Sequence, residues 1–248
     1  MFNYKMVFSY DGSRYKGWQK LGGNELTIQG TIEKAISVVL DYPVEIHGSG
    51  RTDGNVHANG QVANAKIPFG LKEDFLEQTN KLLPEDIQML EVERVSNQFH
   101  ARYSAVEKTY RYYVDTNEKA NVFKRKYRYH YPEKLDKRAM EHAAKYLIGT
   151  KDFSSFTDDK SEKDKVRTIY EIQILENAGV YEFVYVGDGF LQHMIRIVTG
   201  TLLEIGSGKR QPEELAKIIE SKERAKAGFM TPGKGLFLDK VKYDEGRN

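Results

Sequence analysis

Apolar and polar residues alternate in the opening stretch YKMVFSY, Tyr4–Tyr10, the period of two that marks a half-buried strand. Behind Thr27, a residue type that caps helices, Ile28, Ile32, Ala35, Ile36, Val39 and Leu40 recur at helical spacing. Short strands are expected near Val44–His47 and Gly60–Ile67, then a helix near Lys72–Leu83 stopped by Pro84, and a strand in IQMLEVERV. The order is β-α-β-β-α-β. The second half repeats it, with a strand in KTYRYYV, a helix in KLDKRAMEHAAKYLIG, a hairpin of VRTIYEIQIL and VYEFVYVG about ENAG, a helix in FLQHMIRIVTGTLLEIG, a weaker helix in QPEELAKIIESKERA, and a last strand in GLFLDKVKYD. Two tandem ferredoxin-like halves with mainly antiparallel sheets, residues 1–104 and 105–248, are therefore the favoured α+β architecture. A single mixed sheet is the alternative.

A chain of 248 residues with 40% hydrophobic residues can bury a sizeable core. It has no cysteine, which excludes disulfides, thiolate catalysis and cysteine-ligated metal centres and points to a reducing compartment, the cytoplasm. No apolar run approaches the roughly 18 residues of a membrane span, and the start lacks the pattern of an export signal. The net charge of +2 argues for no partner by itself, but its distribution is uneven. From Lys119 to Arg138, eight Lys or Arg face two acids, with Phe123, Tyr127, Tyr129 and Tyr131 interleaved. Basic groups neutralise phosphates and aromatic rings stack on unpaired bases, so the segment is either an RNA contact or a solvated loop anchored by its aromatics.

The most unusual stretch is EIHGSGRTDGNVHANGQVANAKI, Glu45–Ile67. It lacks the lysine and hydroxyl of a phosphate-binding loop, and GSGKRQ at Gly206–Gln211 lacks the upstream glycine and the final hydroxyl. Ser49 is not in a G-x-S-x-G turn, and no histidine pair has the i, i+4 spacing of a helical zinc site. No metal or nucleotide cofactor is expected. An Arg-Thr-Asp triplet on a glycine-rich turn, backed by His57, remains. Taken alone, Asp53 reads as a turn residue bonding its own backbone.

Family resemblance gives Asp53 another role. GRTDGNVHA followed by GQV resembles the signature of the TruA family of tRNA pseudouridine synthases, and YDGSRYKGWQ, TIQGTIEKAI, NKLLPEDI, FHARYSA with KTYRYYV, GTKDFSSF, VRTIY, GDGFLQHMIRIVTGTLLEIGSGK and PGKGLFL resemble family blocks in the same order. Essentially the whole chain is covered. The resemblance implies two ferredoxin-like halves around a central basic cleft, a homodimer, tRNA as partner through its anticodon stem-loop, and Asp53 as nucleophile. The family has glycine two residues after the aspartate; here Gly54 is followed by Asn55. Asparagine is the non-glycine residue that best tolerates positive φ, so the turn is expected to survive.

The implied reaction breaks the bond from the uracil nitrogen to ribose, turns the base and rejoins it through carbon 5. It needs no redox change and no cofactor. An ionised carboxylate can trap a cationic sugar or add to the base. The target uridine must leave its stack, and Arg51 is placed by resemblance to fill the vacated space or hold a phosphate. Tyr110 matches the family's active-site tyrosine, a stacking surface and a candidate for proton transfer at carbon 5, whereas Tyr112 and Tyr113 read as core. Arg196 stands among Leu191, Met194, Ile195, Ile197, Val198, Leu202 and Leu203 on a helix expected to be buried all round, where an arginine needs a carboxylate. Asp53 is the expected partner, with Glu204 as the alternative. By resemblance Leu236 lines the base pocket. Lys124, Arg125, Lys126 and Arg128 are expected on the RNA backbone. His57 reads as support for the loop, and the acids of TDDKSEKDK as a solvated loop. Two other classes compete with the isomerase: a non-catalytic RNA-remodelling module, and a glycosylase that releases uracil.

Overall fold

The computed structural model describes residues 1–22 and 25–244. The chain divides into two compact units, one of Met1–Val106 together with the last strand from Phe237, the other of Glu107–Leu236.

In the first unit β1 (Phe2–Tyr10) is followed by α1 (Ile28–Leu40), β2 (His47–Gly48), β3 (His57–Ile67), α2 (Phe75–Leu82) and β4 (Ile87–Val95). β1 lies between β4 and β3, antiparallel to both, and β2 pairs antiparallel with the outer side of β3. The order β4-β1-β3-β2 is that of a β-α-β-β-α-β unit. Alternation along β1 buries Tyr4, Met6, Phe8 and Tyr10, as the period of two requires. Thr27 caps α1, its Oγ1 accepting from Gly30 N at 3.3 Å. The strand expected at Val44–His47 shrinks to His47–Gly48: Val44 and Ile46 are buried, but Ile46 gives its backbone N–H to the carboxylate of Glu33 and its carbonyl to Gln29 rather than to a ladder.

The second unit holds β5 (Ala105–Asp115), β6 (Tyr129–His130), α3 (Lys137–Ala144), β7 (Gly149–Asp152), β8 (Val166–Asn177), β9 (Val180–Gly187), α4 (Met194–Gly206) and α5 (Glu214–Ser221). Its antiparallel order is β5-β9-β8-β7, with β6 parallel to β5. The β8–β9 hairpin turns on Ala178 and Gly179 at φ 49° and 74°, the two positive values that a two-residue primed turn demands. β7 was not expected from the sequence; GTKD is short and polar, and its pairing with β8 defines it. Eleven of the thirteen residues of α4 are buried, all but Arg196 and Glu204, so the helix is enclosed as its composition predicts. Gly206 comes so close to α3 that a Cβ would stand 2.7 Å from the sulfur of Met140.

The last strand, β10 (Leu236–Tyr243), runs parallel to β3 with Phe237 and Leu238 opposite His57 and Ala58. The strands pair mostly antiparallel and are accompanied by helices, an α+β architecture. Among the described residues, no helix is long and apolar enough to cross a membrane.

Candidate active site

Asp53 sits on a loop between β2 and β3 whose backbone is held on several sides. The first turn of a helix leaves N–H groups without helical partners. In α1, Ile28 and Gln29 donate theirs to the carbonyls of Gly17 and Trp18 at 3.1 and 2.9 Å, and Trp18 N in turn donates to Thr52 O at 2.9 Å. Gln29 reinforces the same segment, its Oε1 accepting from Lys20 N and Gln19 Nε2, both at 2.9 Å. The buried carboxylate of Glu33 completes it, accepting from Lys20 Nζ at 2.8 Å and Gln29 Nε2 at 3.0 Å. A buried carboxylate needs such partners.

Gly17 bridges Asp53 at backbone level, with φ 119°. On the near side of the loop Ser49 N donates to Val62 O at 2.7 Å, Ser49 Oγ to Gln61 Oε1 at 2.7 Å, and Gln61 Nε2 to Gly50 O at 3.0 Å. Thr52 Oγ1 shares a hydrogen bond with Tyr10 OH at 2.8 Å, and burial drives the Tyr10 phenol well above its ordinary pKa. The loop closes with Val56 N donating to Asp53 O at 3.2 Å. Gly12 lies against the Val56 carbonyl, where any Cβ would overlap the oxygen, and it donates its N–H to His57 Nδ1 at 3.1 Å. Asp11 Oδ1 stands equally close to that nitrogen, which cannot both accept and donate. Because Asp11 Oδ1 already accepts from Ser13 N and Oγ while the Gly12 N–H has a fixed direction, Nδ1 is assigned as acceptor. His57 is buried and stacks on Phe237 at 4.6 Å, the supporting role expected of it.

Asp53 is half-buried and Arg51 exposed on this fixed frame. Asn55, at the family's glycine position, has φ 62°, whereas Gly54 is not in the positive region. The position after next from the aspartate is thus where the backbone turns left-handed, and asparagine adopts it.

In the second unit Tyr110 is buried on β5, opposite Tyr185, its ring edge-on to Phe190 at 5.4 Å. Tyr112 is fully buried, as expected, and its hydroxyl donates to Pro232 O at 2.7 Å. Tyr113 departs from expectation: it lies on the other face of β5, half-buried, donating to Glu182 Oε1 at 3.2 Å. Arg196 is half-buried and not enclosed like the rest of α4. Its Nε donates to Thr231 O at 2.7 Å, while Thr231 Oγ1 and N donate back to Arg196 O at 3.0 and 3.2 Å. A backbone carbonyl therefore satisfies part of a guanidinium for which full burial predicted a carboxylate. Glu204, the alternative partner, is bonded to Arg210 Nε at 2.5 Å. The Thr231 and Pro232 carbonyls fix the segment leading to Leu236, which is buried, and Gly235 comes so close to the Tyr112 ring that a Cβ would stand 2.7 Å from its Cζ.

Lys124, Arg125 and Lys126 are exposed on a turn, Arg128 is half-buried, and Tyr131 is buried against Phe229 at 6.2 Å. A solvent-open cavity of about 650 Å³ in this unit is lined by Tyr113, Asp115, Asn117, Lys119, Arg128 and Glu182, among others; Tyr110, Arg196 and Leu236 are not part of it. Asp158 is not merely solvated. Burial raises its carboxyl, but His193 at 2.6 Å and Arg224 at 3.0 Å prevail and hold it below the ordinary value. Among the described residues, no group of three or more His, Cys, Asp or Glu could hold a metal ion.

Reading single residues by type missed Trp18, Gln61, Tyr10 and Thr231, the residues that hold the site's backbone. For Tyr10, Trp18 and Gln61 the signal was membership of the blocks YDGSRYKGWQ and GQV, not their chemistry; Thr231 stands just before the block PGKGLFL and carried none.

A family model described as tRNA pseudouridine synthase matches residues 6–104 and 143–244. The chain is 45% identical over 246 residues to tRNA pseudouridine synthase A of Bacillus sp. (strain KSM-64), covering 98% of this chain and 100% of that protein. It is 42% identical over 245 residues to tRNA pseudouridine synthase A 2 of Bacillus cereus (strain ZK / E33L), covering 98% and 100%. With tRNA pseudouridine synthase A of Bacillus subtilis (strain 168) the identity is 44% over 244 residues, 97% of this chain and 98% of the other.

Proposed function

The chain belongs to the tRNA pseudouridine synthase family and is by that membership an RNA-acting isomerase, and from that premise we propose that it converts uridine to pseudouridine in the anticodon stem-loop of tRNA with Asp53 as nucleophile. The observation that supports this most is the frame around Asp53: the residue is half-buried, while the loop from Ser49 to Val56 is anchored to Tyr10, Gly17, Trp18 and Gln61. A nucleophile held this way meets its substrate without first paying to be ordered.

In the reaction the bond from nitrogen 1 to the ribose breaks and a bond from carbon 5 to the ribose forms. Carbon 5 gives up its proton and nitrogen 1 regains one, so atoms and electrons balance with no cofactor. In this reading Arg196 pairs with Asp53 and keeps it ionised and oriented. Tyr110 offers its ring to the base and serves the proton at carbon 5, Leu236 forms an apolar wall, and Arg51 occupies the space left by the flipped uridine. Lys124, Arg125, Lys126 and Arg128 contact phosphates away from the target. The same reading takes residues 1–104 and 105–248 as two ferredoxin-like halves around a basic cleft, supported by the order β4-β1-β3-β2 of the first unit. It places the protein in the cytoplasm as a homodimer, since a second subunit extends the phosphate-binding surface available to a tRNA.

The test is Asp53→Asn. Isomerisation should vanish while tRNA affinity stays within about tenfold, because phosphate contacts dominate affinity. Residual turnover above about one percent of wild type, equivalent to less than about 3 kcal/mol of transition-state stabilisation, removes Asp53 from the role. Product analysis on labelled tRNA separates isomerised, unchanged and abasic RNA.

A further inference from the structure

The turn after β4 presents a largely exposed aromatic ring. Tyr103 is 77% exposed. The turn that carries it is held firmly: Ser104 N donates to His100 O at 2.9 Å, His100 N to Ser104 Oγ at 3.1 Å, and His100 Nδ1 accepts from Arg102 N at 3.1 Å. The buried residue Ala101 ties the turn to the sheet, its N–H donating to Asn64 Oδ1 at 2.9 Å and its carbonyl accepting from Tyr243 OH at 2.8 Å. The turn is thus tied down beneath a ring whose own burial contributes little to holding it there.

The ring does not stand alone. Tyr103 lies 4.4 Å from the His100 ring, and His100 stacks on His47 at 5.5 Å and 24°. Arg102 stands 5.8 Å from the Tyr103 centroid. Burial first, and then repulsion from His47, Arg102 and Lys66, holds the His100 imidazole below its ordinary pKa. Arg102, Lys66 and His47 are exposed. His47 begins the strand that leads through Gly48, Ser49 and Gly50 to Arg51 and Asp53. A stacked π-surface with cations at its edge and its inner end on the catalytic loop's own strand matches an unpaired nucleobase with its flanking phosphates.

We propose that His47, His100 and Tyr103 form a stacking platform for an unpaired base of the bound RNA, with Arg102 and Lys66 on the adjacent phosphates. The proposal rests on the reading of this protein as an RNA-acting enzyme but concerns binding, which is measured separately from turnover. The experiment measures Kd for an unmodified tRNA transcript with Tyr103→Ala and Tyr103→Phe, each in the Asp53→Asn background so that no turnover intervenes, and mass by light scattering. Loss of one base stack weakens binding about five- to 150-fold. Tyr103→Ala should fall in that range with the mass unchanged, while Tyr103→Phe, which keeps the ring, stays within about twofold of its parent. An unchanged Kd for Tyr103→Ala overturns the platform, and so does a change of mass, which makes the ring a contact between copies of this chain. If tRNA is bound but never isomerised by the wild type, the enzymatic reading falls and the platform is still decided by Kd.

Discussion

Gly17→Ala tests whether the frame around Asp53, and not only its carboxylate, is required. Gly17 has φ 119°, and a Cβ there would stand 2.6 Å from Thr52 O, 3.2 Å from Asp53 C and 3.3 Å from Gly54 N. All three are backbone atoms that no rotamer change can move aside. Ordinary contact begins at 3.4 Å, so the Gly17 segment and the loop must separate by 0.8 Å (3.4 − 2.6) at Thr52, the residue before the nucleophile. The φ alone costs a non-glycine residue about 1–3 kcal/mol. For a chain of this size that lowers the melting temperature by about 2–12 °C. A displacement approaching 1 Å at a reacting group costs on the order of 100-fold in rate, so the single-turnover rate on tRNA should fall about 10- to 100-fold. Affinity for tRNA should hold, since no phosphate contact is touched. Gly54→Ala is the control: its nearest contact would be Tyr15 O at 3.5 Å, ordinary spacing, and its φ is not positive. A Gly17→Ala protein that melts earlier but reacts at the wild-type rate would refute the claim that this frame positions Asp53. Equal damage from Gly54→Ala would locate the sensitivity in the loop itself rather than in its bridge to Gly17.

At Asn55, with φ 62°, substitution by glycine should leave stability and turnover unchanged, whereas Asn55→Val should cost about 1–2 kcal/mol by chemical denaturation; equal stability of all three forms would show that the turn relaxes. Lys124, Arg125 and Lys126 replaced together by alanine should flatten the log–log salt dependence of tRNA binding by about two to three units, and parallel slopes would show that the segment does not touch phosphate. Asp152 is held down to about 2 from 3.8, first by Lys222 and then by Ser154. Its folded-state pKa is depressed, so its contribution to stability is complete above about pH 4 and disappears as pH falls through about 2. Melting temperatures recorded from pH 5 to pH 2 should fall more steeply for wild type than for Asp152→Asn, and superimposable acid limbs would mean that the Lys222 pair contributes nothing.

Periodicity determined most of the elements. Strand β4 was legible to the residue because the apolar residues of IQMLEVERV are interleaved with polar ones just after Pro84 stops the preceding helix, and α1 because its apolar stripe begins behind a capping threonine; both signals lie within one short segment of chain. The Asp53 loop, its glycine-poor variation at Asn55 and the positive φ that asparagine accepts there were legible for the same reason, with the family resemblance supplying the chemistry. Tertiary structure decided what no local pattern encodes. Val44–Ile46 looked like a strand, but Glu33 and Gln29, more than ten positions earlier, take its backbone groups. Tyr113 and Tyr112 are indistinguishable by composition, and only the side of β5 they face separates a core ring from a half-buried one. Arg196 looked buried because its helix is, yet it is one of two α4 residues, with Glu204, that are only half-buried, and a carbonyl from Thr231 reaches it. The frame of the nucleophile was equally out of reach: Trp18 and Gln61 meet the loop through hydrogen bonds whose partners only the strand order brings together, and a hydrogen bond between distant segments leaves no trace in the periodicity of either.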